Sequence, residues 1–250
     1  MTYTTVSYTK ESHVAYLILS RPEVNNAINQ QLAQELETIC CQINQDNDIY
    51  VVLITGAGNK AFCVGGELAS PEPGVNYGVA SVMASLNQPV IAAINGAALG
   101  QGLELALSCD IRLASDKAKF SLTQVAEGFI PMDGGTQRLP RIVGKGRALE
   151  LILTAEIINA DEALAIGLVN KVVAKEELAA EAEAMAKAMT TKGPIALRYA
   201  KEAVNKGLDL TLEQGLRLED DLYLLLHTTG DRTEGIRAFL EKRPSQFKGQ

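Results

Sequence analysis

Histidine is scarce in this 250-residue chain: His13 and His227 are the only two, and they lie far apart. The four cysteines, at 40, 41, 63 and 109, add no metal-ligand spacing to them, so no metal site is expected. No block of Lys or Arg stands out and the formal net charge is -7, which makes nucleic acid and anionic membrane surfaces poor partners. No apolar run approaches the roughly 20 residues of a membrane span. Met1-Thr2-Tyr3-Thr4 does not open a basic-then-apolar leader. A Gly-Lys-Ser/Thr phosphate loop and a properly placed Gly-x-Gly-x-x-Gly are missing, which argues against a nucleotide phosphate cradle. No Gly-x-Ser-x-Gly elbow occurs either. These absences lead to the expectation of a cytoplasmic protein with reduced, structural cysteines and neither a nucleic-acid nor a membrane partner.

What is present is a globular composition. Hydrophobic residues make up 47% and charged residues 21%, enough at this length to bury a large core in one domain, or in one domain plus an extension. His13 to Leu19 reads as a strand. The turn Ser20-Arg21-Pro22-Glu23 follows it, and Asn25-Asn26 is placed to cap a helix over Ile28 to Gln45. Tyr50 to Thr55 is a continuous run of the kind that forms a buried strand, and Pro89 to Asn95 repeats it. Ile111 to Ala114, Ala118 to Leu122 and Leu168 to Val173 are further short strands. This alternation predicts a largely parallel α/β core. Beyond the last strand the pattern is helical, over Glu176 to Met189, Ile195 to Lys206, Leu212 to Leu226 and Thr233 to Arg243. The expected division is a core over 1–192 and a helical region over 193–250 that packs on it and docks another subunit.

One acid stands out against its surroundings. In Ala97-Ala98-Leu99-Gly100-Gln101-Gly102-Leu103-Glu104-Leu105-Ala106-Leu107-Ser108-Cys109, almost every position except Glu104 is apolar or small. Glutamate is rarely buried without a partner. Burial raises its pKa and so suits it to proton transfer near neutral pH. Gly100 and Gly102 let a ligand approach the backbone. A helix starting near Gln101 puts Gln101 and Glu104 on one face, one turn apart, with the outward N–H groups of the helix start beside the acid. The competing expectation is a first-turn glutamate that only complements the macrodipole.

Three glycine-containing elements follow strands, where α/β folds place ligands. They are Ala61-Phe62-Cys63-Val64-Gly65-Gly66-Glu67-Leu68, the Glu104 segment from Gly96, and Gly128-Phe129-Ile130-Pro131-Met132-Asp133-Gly134-Gly135-Thr136-Gln137-Arg138-Leu139. In this order they resemble the enoyl-CoA hydratase/isomerase (crotonase) superfamily, over essentially the whole chain. Arg21-Pro22 with Asn26-Ala27 is similar to its first CoA-contacting turn. Cys109-Asp110-Ile111-Arg112 is similar to the strand after its catalytic helix, and Arg232, Glu234-Gly235 and Phe239 to Arg243 to its C-terminal helix. The resemblance implies an α/β spiral of β-β-α turns with a C-terminal helical extension that builds a homotrimer, often paired into a homohexamer. It implies an oxyanion hole formed by the backbone N–H groups of Gly66 and Gln101, and CoA contacts at Asn26, Ala27, Ala61, Gly65 and Leu68. Coenzyme A then enters as part of the acyl-CoA substrate, and no separate cofactor is expected. Most relatives have glycine at Gln101, but the donor is a main-chain N–H, so the hole survives the change.

The departure from the family pattern lies at Gln124. Two-glutamate hydratases match at Glu104, but their second glutamate aligns with Gln124, in Thr123-Gln124. An amide can hold a water or a substrate group, yet it exchanges no proton near pH 7. Asp133 is a candidate to compensate. It precedes Gly134-Gly135-Thr136 and can alternatively cap the helix running through Leu139, a role worth about 1 kcal/mol. Several relatives with other chemistry carry a catalytic aspartate one residue earlier on this turn. Glu127 is expected in solvent, Cys63 and Met132 in packing, and His227 at a helix end. The stretch from Ala69 to Gly78 is short for the family's acyl-lining segment, which suggests a pocket rebuilt for a particular acyl group.

The leading expectation is a lyase that hydrates an α,β-unsaturated enoyl- or dienoyl-CoA through an oxyanion-stabilised enolate, with Glu104, Gln124 and Asp133 at the catalytic centre. A double-bond isomerase, which needs only one base, is the alternative within the family. An acyl-CoA-binding oligomer without catalysis is the alternative of another class; against it stands the cost of burying an unused acid.

Overall fold

A computed structural model of the chain describes residues 3–67 and 76–250. It opens with an antiparallel hairpin of β1 (Val6–Glu11) and β2 (Val14–Leu19), Val6 opposite Leu19. Later strands come in pairs: β3 (Val51–Gly56) with β4 (Ala61–Cys63), β5 (Val90–Ile94) with β6 (Ala97–Leu99), and β7 (Ile111–Ser115) with β8 (Lys119–Ser121). β9 (Ile158–Asn159) and β10 (Lys171–Val173) complete the strands among the described residues. The first member of each pair joins a sheet of order β1-β2-β3-β5-β7-β10, parallel from β2 onward. The second joins a smaller sheet of order β4-β6-β8-β9, in which only β9 runs antiparallel.

A helix closes each turn of this path. α1 (Gln30–Gln45) follows β2, α2 (Val79–Ala84) follows β4, α3 (Gln101–Ser108) follows β6, and α4 (Gly135–Val143) comes after β8. In the first turn the small-sheet strand is reduced to one parallel bridge between Ile28 and Gly66. This is the α/β spiral of β-β-α turns that the family resemblance implies. The bridge also corrects the expected start of α1. With Ile28 taken up in sheet-like pairing, the helix begins at Gln30, and the Asn29 side chain accepts the Leu32 N–H at 2.9 Å. Asn25 and Asn26, the expected caps, instead adopt left-handed backbone conformations in the preceding turn.

Further helices follow: α5 (Lys145–Thr154), α6 (Ala160–Ala165), α7 (Leu178–Thr190), α8 (Pro194–Gly207), α9 (Leu212–Leu226) and α10 (Gly230–Glu241). α7 covers the outer face of the larger sheet, where Leu178, Ala182 and Ala186 meet Val51, Leu53, Ile91 and Leu113. Val52 and Ile54, pointing the other way, join the main core with Val90, Ala92 and Ile94. Both faces of β3 are buried, which is why its sequence is an uninterrupted apolar run. α8 is tied to the core by polar contacts: Lys201 Nζ reaches Asp110 Oδ2 at 2.8 Å and the Gln88 carbonyl at 2.8 Å. Among the described residues no helix is long and apolar enough to cross a membrane.

Candidate active site

Glu104 sits one turn into α3 and is 0% exposed. Its burial follows from how closely α3 approaches β4: a Cβ on Gly102 would lie 2.0 Å from the Cys63 carbonyl oxygen, so only glycine fits. All eight residues of α3 are buried. The Glu104 carboxylate is fully engaged on one side. Its Oε1 accepts the backbone N–H groups of Asp133 and Gly135, each at 2.8 Å, and its Oε2 accepts Gln124 Nε2 at 2.9 Å. Burial pushes the Glu104 pKa up; the two N–H donors and Arg138 pull against that, and the Asp133 charge adds to it. With Oε1 saturated by two donors, Oε2 is the oxygen left to take up and release a proton.

The expected oxyanion donors are brought together by the same turn. In the Ile28–Gly66 bridge, Ile28 N–H donates to Gly65 O at 2.7 Å and Glu67 N–H donates to Ile28 O at 3.0 Å. That pairing turns the N–H of Gly66 itself away from Ile28. Gly65 lies against the start of α3, where an added Cβ would stand 3.1 Å from Gln101 N, and its φ of +93° suits glycine. Gln101 opens α3, so its N–H points outward along the helix axis. Its buried side chain flanks Gly66, with Oε1 3.6 Å from where a Cβ on Gly66 would lie.

The residues matched to CoA contacts form one cluster. Asn26 is fully buried; its Oδ1 accepts Arg21 N–H at 3.0 Å and its Nδ2 donates to the carbonyls of Ala57 and Ala61, each at 3.0 Å. Arg21 Nη1 donates to the Ala27 carbonyl at 2.6 Å. The side chains of Asn26, Ala27 and Ala61 are buried, and the carbonyls of Ala27 and Ala61 are taken up within the cluster, which fixes the course of this turn beside Gly65. Leu68, together with most of the stretch from Ala69 to Gly78, lies outside the described residues.

Gln124 lies on a 3-10 turn over Thr123–Glu127, and while its Nε2 serves Glu104, its Oε1 is buried without a hydrogen-bond partner among the described residues. The structure corrects the expectation that Asp133 caps its own helix. Gly134 occupies the N-cap of α4 and no side-chain cap is made there. The Asp133 carboxylate turns instead to α2, accepting Ala80 N–H at 2.7 Å, Ser81 N–H at 3.1 Å and Ser81 Oγ–H at 2.9 Å. Glu127 is exposed, and Cys63 is buried in the core with its thiol pushed up to about 12. His227 ends α9, edge-on to Tyr223. Sequence reasoning did not find the Asp133 and Gly135 N–H donors. The available signal was the Gly134-Gly135 pair, because a Cβ on Gly135 would come within 3.0 Å of Glu104 Oε1.

A β-β-α spiral with a buried glutamate one turn from a glycine-flanked helix start is the arrangement that the resemblance to acyl-CoA enzymes implies. The chain belongs to the enoyl-CoA hydratase/isomerase family, whose model matches residues 9–250. It is 41% identical to the crotonyl-CoA hydratase of Syntrophomonas wolfei, covering 99% of both chains. To the short-chain-enoyl-CoA hydratase of Clostridium acetobutylicum it is 39% identical, covering 94% of both. Among solved structures, an enoyl-CoA hydratase from Bacillus anthracis superimposes with a TM-score of 0.95 at 42% identity, covering 99% of this chain and 100% of the other.

Proposed function

We propose that this protein hydrates an α,β-unsaturated enoyl-CoA, with Glu104 as its single acid/base. The observation that carries the reading is a buried carboxylate of raised pKa whose Oε1 takes two backbone donors while its Oε2 takes one side-chain donor and keeps acceptor capacity. The thioester oxygen is held by the N–H groups of Gly66 and Gln101, each such donor worth on the order of 3 kcal/mol in the transition state. Glu104 Oε2 takes a proton from water as the water oxygen bonds to Cβ. The electron pair of the double bond moves onto the thioester oxygen as an enolate, and Glu104 then returns the proton to Cα. Gln124 Oε1, buried and without a partner, is the acceptor that orients the second O–H of that water. Coenzyme A belongs to the substrate and no other cofactor takes part. Its contacts are assigned to Asn26, Ala27, Ala61, Gly65 and Leu68, the last of which lies outside the described residues.

Residues 1–192 carry the chemistry in this reading and residues 193–250 carry assembly into a homotrimer or homohexamer. Supporting this are the apolar side chains left exposed on α9 and α10, among them Leu212, Leu224, Phe239 and Leu240. The four free cysteines suit the cytoplasm. Isomerisation is the second reading, favoured by the amide at Gln124, since moving a proton between two carbons needs one base only.

The test is turnover of a panel of enoyl-, 3-enoyl- and dienoyl-CoA thioesters in heavy-oxygen water. Oxygen incorporation at Cβ is expected. A shifted double bond without oxygen establishes the isomerase, and silence across the panel, with binding retained, establishes a non-catalytic acyl-CoA binder.

A further inference from the structure

We propose that Asp133 is a positioning residue that fixes helix α2 and the Glu104 carboxylate relative to each other, its side chain serving the helix and its main chain serving the base. The inference rests on reading Glu104 as the acid/base. α2 starts without a local side-chain cap, because its N-cap residue is Gly78. Asp133 supplies the cap from 53 residues away, accepting the N–H of Ala80 and, 52 residues away, that of Ser81. These are the second and third positions of the helix, the donors a local Asp or Ser cap would satisfy. The Ser81 hydroxyl adds a third hydrogen bond at 2.9 Å. A neighbouring tie runs the same way: Asn76 Nδ2 donates to the Met132 carbonyl at 3.0 Å, and Asn76 Oδ1 accepts Gly78 N–H at 2.8 Å.

The main chain of the same residue reaches the catalytic group. Asp133 N–H donates to Glu104 Oε1 at 2.8 Å, while its carbonyl accepts Arg138 Nη1 at 2.7 Å. One residue therefore sets the position of a helix that packs on α3, the orientation of the α3 carboxylate, and the arginine that helps hold that carboxylate ionised. Asp133 is 2% exposed and its carboxylate oxygens already accept three donors. A role in proton exchange would have to break the cap. The charged groups that act on Glu104 are Asp133, which raises its pKa, and Arg138, which lowers it. Removing the Asp133 charge therefore moves the acid limb of activity to lower pH.

The experiment compares Asp133→Asn, Asp133→Ala and Ser81→Ala with the parent in kcat, KM and the pH profile of kcat/KM. Amide hydrogen exchange at Ala80 and Ser81 and the NMR titration of the Glu104 carboxyl are measured alongside. Asp133→Ala is expected to speed exchange at both amides by about fivefold to tenfold. It should lower kcat by about tenfold through the displaced Glu104 N–H donor and, because that donor outweighs the Asp133 charge, move the acid limb to higher pH, whereas Asp133→Asn, which removes the charge alone, moves it lower. Asp133→Asn keeps an acceptor for α2 and should recover most of kcat, while Ser81→Ala gives a smaller change in the same direction. The proposal is overturned if Asp133→Asn loses kcat on the order of 100-fold or more while Ser81→Ala is silent, the pattern of a group that itself transfers protons. Unchanged exchange at Ala80 and Ser81 in Asp133→Ala overturns it as well. Exchange and the Glu104 titration need no turnover, so they decide the point even if the hydratase reading fails. If Asp133→Ala does not fold, Asp133→Asn and Ser81→Ala carry the same readouts.

Discussion

Helices α3 and α9 are built from similar residues and meet opposite surroundings. α3 has Leu103, Leu105 and Leu107 around its glutamate, and every one of its residues is buried. α9 ends in Leu222-Tyr223-Leu224-Leu225-Leu226, yet only Leu222 is buried, and Leu212 at its other end is 80% exposed. α10 extends the exposed face with Phe239 at 83% and Leu240 at 74%. Apolar composition thus says that a helix face needs cover, and close approach within the chain decides whether the cover comes from inside. For α3 it does, at a distance that leaves no room for a methyl group on Gly102. For α9 and α10 among the described residues it does not, and each large side chain there stands to gain about 1.5–3 kcal/mol from burial against another copy.

Glu104→Gln probes the buried side of this contrast with the largest expected effect on rate. Turnover should fall by about 100-fold to 10,000-fold with acyl-CoA affinity nearly kept, because the amide retains the shape and loses the proton. Stability should move the other way. The folded pKa of Glu104 is raised above the ordinary value of 4.5, so what the protonated group contributes is present below that value and is lost as pH rises through the folded pKa. The glutamine variant escapes that loss, and at neutral pH its Tm is expected to match or exceed the parent's by a few degrees. A variant that is both inactive and clearly less stable would show that the carboxylate holds the site together rather than working in it.

Gly102→Ala should be the most destabilising change on the same helix, by on the order of 4 kcal/mol or more, since the opposing atom is a backbone carbonyl that cannot swing aside. Denaturant unfolding gives the number. Normal stability would mean that α3 and β4 are less closely packed than described. On the open side, Phe239→Ser with Leu240→Ser should leave the core folded and reduce assembly. On the proposed assembly, sedimentation is expected to show smaller species than the parent forms at the same concentration; an unaltered profile would remove this face from the assembly surface. The smallest effect is expected from Gln124→Glu, a gain of about tenfold in kcat/KM on a simple short-chain enoyl-CoA with some loss on the native substrate, as two carboxylates come to share one proton. Loss on both substrates, or gain on both, would remove Gln124 from the determinants of specificity.

Much of the buried half was legible in the sequence. Strands β3 and β5 are largely apolar runs because both faces of their sheet are covered, and Glu104 stood out as the one acid among small and apolar residues. β1 went unread because its residues, Val-Ser-Tyr-Thr-Lys-Glu, are mostly polar and exposed; its strand character comes from pairing with β2. The partners of Glu104 were only half legible. Gln124 was visible as a departure from the family pattern, but the Asp133 and Gly135 N–H groups belong to the backbone and leave no side-chain signature. The Asp133 carboxylate misled for a related reason: local sequence suggests the nearest helix start, whereas the chain path brings the start of α2 to it from more than 50 residues away.

Glu104 and Gln124 together also say what an inhibitor should look like. Glu104 Oε2 and Gln124 Oε1 lie on two side chains joined by a hydrogen bond, and on the proposed mechanism they form a pair of acceptors suited to a molecule that donates twice and keeps a lone pair for Cβ. A ligand that carries its own pair of donors to those acceptors would bring positive charge to an ionised carboxylate as well. A 3-amino acyl-CoA, whose ammonium group has N–H donors for both acceptors, is therefore expected to bind more tightly than the 3-hydroxy product, and to lose that advantage when Glu104 is made neutral.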